Sequence, residues 1–200
     1  MPLSEPVARQ QIHQRLIDCI GYEREDGLFD IEGRLTDTKS YAFDTTLRGH
    51  MKPGDYIHDM KMRLTVDTSF TIVDIEAVSD HHPYPNCGVI TPNYKELIGQ
   101  RIVSGFTAAT EKAVGQTRGC THHTGLLRDL ATVVFQTLGP LLAKRRKEQS
   151  GAEIKDMTRE LFKNRKPPMI DGCHALARDN ENVKRFFPDW YMPKNDQDEK

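Results

Sequence analysis

The sequence predicts an α+β fold, a curved antiparallel sheet packed against a long helix. Three observations point there. Strand-like alternation falls between Asp26 and Val78, helical periodicity fills the stretch after residue 94, and the two kinds of pattern do not interleave. With 200 residues the chain is long enough for one well-filled core and short for two. We expect an N-terminal arm over 1–12, one α+β domain over 13–190 and a polar C-terminal tail over 191–200.

The elements follow in order. Between Asp26 and Leu35, Phe29, Ile31 and Leu35 share one face with Gly33, and Asp30, Glu32 and Arg34 share the other. That spacing makes a half-buried strand with a carboxylate-bearing face. Lys52-Pro53-Gly54-Asp55 is turn chemistry. From Tyr56 to Val66 a second strand alternates, with His58, Met60, Met62, Leu64 and Val66 opposite Asp59, Lys61, Arg63 and Thr65. Asp67-Thr68-Ser69 turns it into a third strand over Phe70 to Val78, giving a hairpin. Asp80 to Gly88 reads as a loop.

Helical spacing starts near Tyr94 and runs to Val114, broken between Gly99 and Gly105. A second helix spans Thr121 to Lys147, with Leu126, Leu127, Leu130, Val133, Val134, Leu138, Leu141 and Leu142 on its apolar stripe and a kink expected at Gly139-Pro140. Residues 148–169 read as a short helix and a linker. A last small element starts at Asp171.

Composition narrows the function classes. Lys and Arg total 28 against 29 Asp and Glu, so a phosphate-binding basic excess is lacking. The run Lys144-Arg145-Arg146-Lys147 closes a helix, where cations complement the dipole. No nucleic-acid partner is expected. No uninterrupted apolar run reaches the roughly 20 residues that cross a bilayer, and Met1 to Pro6 lacks a signal pattern. A cytoplasmic protein without a membrane partner is expected, with homo-oligomerisation left open. Cys19, Cys87, Cys120 and Cys173 are scattered, as free thiols or ligands would be.

The densest reactive cluster is Gly119-Cys120-Thr121-His122-His123. With Thr121 as N-cap, Cys120 would sit at a helix mouth, where the positive dipole end favours a thiolate. His122 or His123 could serve as its base or as a metal ligand. The competing reading is an inert cysteine beside two capping histidines. His58, on an apolar strand face, is either a core residue or a base facing that helix. Asp30 and Glu32 are either a proton-handling pair or a solvated face. Cys120 with His122, Cys173 with His174, and His81, His82 and Cys87 all lack paired zinc spacing, so no metal is expected. Tyr22, Tyr41, Tyr84, Phe106 and Trp190 could line an aromatic pocket or fill the core.

These same residues carry a resemblance. Tyr22 to Gly33, Asp37-Thr38-Lys39 with Tyr41, His58-Asp59-Met60 with Arg63-Leu64-Thr65, the Pro83-Tyr84 to Cys87 loop, Arg118 to His122, Ala131-Thr132 and Phe135-Gln136-Thr137 resemble a bacterial family, the domain of unknown function 2889. The resemblance covers about 13 to 140, with a weaker trace near 171 to 188. It implies catabolism of a small aromatic substrate by a cofactor-independent carbon–carbon lyase that releases formaldehyde. His58 or His122 would be the base, and Glu32, Asp30 or Tyr41 the acid. Lys39 or Arg63 would hold phenolate charge, and His123 and Tyr22 would contact substrate. Cys120 would serve only in a covalent variant. Two departures stand beside the candidate site: His123 replaces a leucine of the family pattern and Gly125 a glutamate. Two other readings remain: a hydrolase that is cysteine–histidine-dependent or metal-assisted, and a non-catalytic small-molecule-binding protein.

Overall fold

A computed structural model of the chain describes residues 3–151, 164, 166–167 and 169–194. The chain packs as two compact units, Met1–Leu138 and Gly139–Lys200.

The first unit is built on a four-stranded antiparallel sheet in the order β1-β2-β5-β6. Its strands are β1 (His13–Glu23), β2 (Phe29–Lys39), β5 (Tyr56–Val66) and β6 (Ile72–His81). Between β2 and β5 lies a small hairpin of β3 (Phe43–Thr45) and β4 (Gly49–Met51). Register shifts at Asp37/Thr38, Asp59/Met60 and Thr65/Val66 add local twist and bend, the usual effect of a bulge. Alternation sorts the residues by face. Phe29, Ile31, Leu35, Met60, Met62, Leu64 and Val66 are almost wholly buried, whereas Glu32, Arg34 and Lys61 are exposed.

A long 3₁₀ segment, Cys87–Leu97, follows β6 and precedes α1 (Phe106–Val114). Gly99 and Gly105, both at positive φ, separate them where the sequence placed the break. The helix α2 runs over Thr121–Ser150 and continues through Pro140. Its buried side chains Leu126, Leu127, Leu130, Val134 and Leu138 form one stripe. At about 2 kcal/mol for each fully buried leucine or valine, this stripe contributes on the order of 10 kcal/mol of gross apolar burial. The sheet admits it because Gly33 has no side chain: a Cβ there would lie 2.8 Å from Leu130 Cδ2 and 2.9 Å from Leu126 Cδ1. Gly21 makes the same room for Thr137. By length and composition alone α2 is apolar enough to cross a membrane, although no single apolar run in it suggested so.

Four sequence expectations shift. β1 was read as part of no strand, and β3 and β4 were not foreseen. β6 runs three residues further than the alternation implied, to His81. The expected helix from Tyr94 is a 3₁₀ segment that starts earlier, at Cys87.

In the second unit, Ile170 and Val183 are buried. Asp171 accepts bonds from Lys166 Nζ at 2.7 Å and Arg178 Nε at 3.0 Å. The short helix α3 (Glu181–Phe186) is capped by Asn180, whose side chain accepts from Asn182 N–H. The helix expected between 148 and 169 lies largely outside the described residues, as does most of the tail expected over 191–200.

Candidate functional site

The core-facing row of β2 runs Phe29, Ile31, Gly33, Leu35 and then Asp37, a carboxylate at a position that alternation reserves for the core. Asp37 is 1% exposed. A charge so placed must be paired, and its neighbours in register supply the partners. Arg15 and His58 stand directly opposite it on β1 and β5. The Arg15 guanidinium donates to both carboxylate oxygens, at 2.8 and 2.7 Å. His13 Nε2 lies 3.1 Å from Oδ1, and His58 Nδ1 lies 3.0 Å from Oδ2. Burial raises the Asp37 acid, but the Arg15 pair and His58 overcome that and hold it below its ordinary value, so it is a carboxylate.

An ionised acceptor at Nδ1 fixes the His58 tautomer: Nδ1 carries the proton. Burial pushes the His58 imidazole down, Asp37 pulls it up, and the Arg15 and Arg48 charges push it down again, leaving it below its ordinary value. The shift favours the neutral imidazole, and among the described residues Nε2 has no hydrogen-bond partner that would bar it from taking a proton. His58 is mostly buried, with 13% of its side chain exposed.

The start of α2 brings the second half of the site. The rings of His58 and His122 lie 3.9 Å apart at 31°. His122 Nε2 is 3.9 Å from Asp37 Oδ2, and its Nδ1 is 3.7 Å from Cys120 Sγ. Cys120, not Thr121, takes the N-cap position, since its carbonyl accepts the Thr124 N–H at 2.8 Å. Burial pushes its thiol up, but His122 and the N–H groups of His123 and His122 reverse this and leave it below its ordinary value. Cys19, by contrast, is pushed up to about 11 by burial, with Asp129 and Asp18 adding to it.

This helix start is clamped. Tyr94, fully buried in the 3₁₀ segment, accepts the Cys120 N–H at 3.1 Å. Its hydroxyl is also 3.1 Å from the Cys120 carbonyl and from Thr124 Oγ1. Asn93 donates to the Arg118 carbonyl at 2.7 Å. Gly119 is needed because a Cβ would meet the Val114 carbonyl oxygen at 2.1 Å.

The sequence-derived residues thus divide. His58, His122 and Cys120 converge. Asp30, Glu32 and Arg63 lie on the sheet's other face and engage one another's neighbourhood: Thr65 donates to Asp30 at 2.7 Å, and Arg63 pairs with Glu32 and Glu76. Alternation puts them there, so the acid and phenolate-holding roles expected of them do not fall beside His58. Tyr22, opposite Asp30 in register, is 45% exposed. His123 is wholly buried, its Nε2 3.2 Å from the Val78 carbonyl and its ring 5.6 Å from that of Tyr94. It is a helix-to-sheet tie that substrate cannot reach. Lys39 and Tyr41 lie just past Asp37, with the Lys39 ammonium 5.1 Å from the Tyr41 ring. His82 bonds the Tyr84 carbonyl at 2.7 Å, and His81 packs on Tyr56. Cys173 is exposed in the second unit.

Sequence reasoning missed Asp37, Arg15, His13 and Tyr94. Asp37 had a signal, its core parity. One ligand atom each from Asp37, His58 and His122 lie within 4.8 Å of one another, close enough to hold a metal ion.

A family model described as a protein of unknown function, DUF2889, matches residues 13–136, which spans the whole sheet, the clamp and the first half of α2. The chain belongs to the DUF2889 family. No curated protein and no solved structure matches it. Every residue of the Asp37–His58–His122 cluster lies inside the DUF2889 match.

Proposed function

We propose that this DUF2889 protein is an enzyme of acid–base type in which His58 is the base and His122 the second proton carrier. The observation that carries the reading is the buried Asp37 carboxylate on His58 Nδ1 at 3.0 Å, with the His122 ring centroid 3.9 Å from that of His58. A carboxylate in that position fixes the tautomer and stabilises the imidazolium once the proton has moved. Two imidazoles in contact do not both charge readily, so a proton on one favours the neutral form of the other. That is the behaviour of a relay.

The reaction we assign, from the family resemblance, is loss of formaldehyde from a hydroxymethyl arm on a small aromatic, without a cofactor. The O–H proton passes to His58 Nε2. The O–H electron pair becomes the second C–O bond of formaldehyde. The carbon–carbon bond breaks, its pair stays on the aromatic fragment, and the proton taken by His58 passes through His122 to that carbon. His122 takes the acid role that Asp30 and Glu32, on the far face, do not fill. Incubation with phenolic dimers bearing such an arm should release formaldehyde, and His58→Ala should slow it roughly 10²–10⁴-fold. A folded protein inactive on a broad panel would remove the lyase assignment.

A second reading has its own observation, the metal-binding spacing of Asp37, His58 and His122. It would make the protein a metal-assisted hydrolase. Arg15 weighs against it, because a guanidinium engaging both Asp37 oxygens occupies the ligand and repels a cation. Near-equimolar zinc or iron in protein purified without chelator would move this reading to the front.

A further inference from the structure

The β3–β4 hairpin presents an arginine without an acidic partner among the described residues. The Thr45 hydroxyl accepts the Arg48 N–H at 3.0 Å and lies 3.2 Å from the Gly49 carbonyl, with Gly49 at positive φ. This tight tip fixes Arg48, which is only partly exposed. The one hydrogen bond of its guanidinium, among the described residues, is a 3.3 Å contact with the Ile57 carbonyl. No carboxylate among those residues pairs with it. The arginines on the sheet strands are matched, Arg15 with Asp37, Arg34 with Asp59 and Arg63 with Glu32 and Glu76.

Arg48 lines two adjoining cavities. The first, about 220 Å³, has walls of Phe43, Met51, Ile57 and Tyr84. The second, about 230 Å³, is more polar and includes His81, His82 and Asp80. Leu47, Arg48 and Pro83 belong to both. A guanidinium at the border of an aromatic cavity satisfies two needs together. Its fork takes a planar anion in two parallel bonds, and Phe43 and Tyr84 line the wall beside it, where an aromatic body would meet them. We infer that the Arg48 cavity binds a small aromatic carboxylate, with the carboxylate on the Arg48 fork and the ring between Phe43 and Tyr84. The site extends the acid–base reading without depending on it, because binding there needs no proton transfer. The Arg48 charge also bears on His58, so an anion on Arg48 would partly offset that push.

The test uses the full chain with benzoate as probe, followed by backbone amide NMR shifts and by calorimetry. Benzoate should shift amides of the 43–51 hairpin and of Tyr84. Arg48→Gln should weaken binding at least tenfold and Tyr84→Ala several-fold, each checked for a folded spectrum. Benzamide and acetate should bind at least tenfold more weakly than benzoate, because each lacks one of the two recognised features. His58→Ala should leave benzoate affinity within about twofold, which separates this site from the fate of the lyase assignment. No saturable shift with benzoate, equal binding of benzamide, or unchanged affinity in Arg48→Gln would each overturn the inference.

Discussion

Asp37→Asn replaces one atom and disconnects most of the site. In the native protein the carboxylate accepts two bonds from Arg15, one from His13 and one from His58. Hydrogen bonds to charged groups contribute about 1.5–3 kcal/mol each in buried settings. Arg15 and His13 are 45% and 43% exposed, so solvent regains much of what they lose, and their share falls toward the surface-pair range. The mostly buried His58 keeps more of its share. Asparagine also retains one acceptor oxygen. The net loss should be about 1–3 kcal/mol, or a midpoint fall of roughly 3–10 °C for a chain of this size. His58 loses the carboxylate that pulled it up, so its imidazole should titrate lower still. Thermal and urea unfolding with side-chain NMR of His58 measure both. A variant as stable as wild type, with His58 titrating unchanged or higher, would refute the pairing described above.

Other outcomes follow from the same geometry. His58 and His123 are both held neutral in the fold, by burial first in each case. Unfolding lets them take up protons, so stability should fall as pH drops below roughly 6.5. Asp37, held low, adds a further loss in stronger acid. A urea midpoint that rises between pH 7 and pH 5 would contradict this. Iodoacetamide near neutral pH should label Cys120 faster than Cys19, whose thiol is pushed up to about 11. Mass spectrometry of a time course decides, and faster labelling of Cys19 would return Cys120 to a purely structural role. Tyr94→Phe removes the hydroxyl that holds the Cys120 N–H and lies beside two acceptors, at a cost of about 1–3 kcal/mol by denaturation. It should also disturb the His122 resonances, and an unchanged His122 spectrum would argue against the clamp.

Much of this architecture was legible because burial imposes a period. β5 was read at its observed bounds since Met60, Met62, Leu64 and Val66 alternate without interruption. The α2 stripe was equally plain. β1 was not, for a physical reason: it is an edge strand, exposed along nearly its whole length, so selection for alternation is weak. Missing β1 hid His13 and Arg15. Asp37 entered only as part of the Asp37-Thr38-Lys39 stretch of the resemblance, although it continues the core parity of Phe29, Ile31 and Leu35. The helix-mouth cluster was found from composition alone, but His122 and His123 could not be told apart. One helical step sends the first to Asp37 and the second into the core against Val78. Asp30 and Glu32 show the reverse error, where chemistry suggested a site and strand alternation pointed both side chains away from it.

His58 is a neutral base whose Nδ1–H is donated to Asp37. Long-range ¹H–¹⁵N NMR of the imidazole, titrated from pH 8 to pH 5 and assigned with His58→Ala, tests this directly. The expected result is the Nδ1–H tautomer at pH 7, charging only at a pH below that of an ordinary histidine. An Nε2–H tautomer, or an imidazolium already present at pH 7, would contradict it.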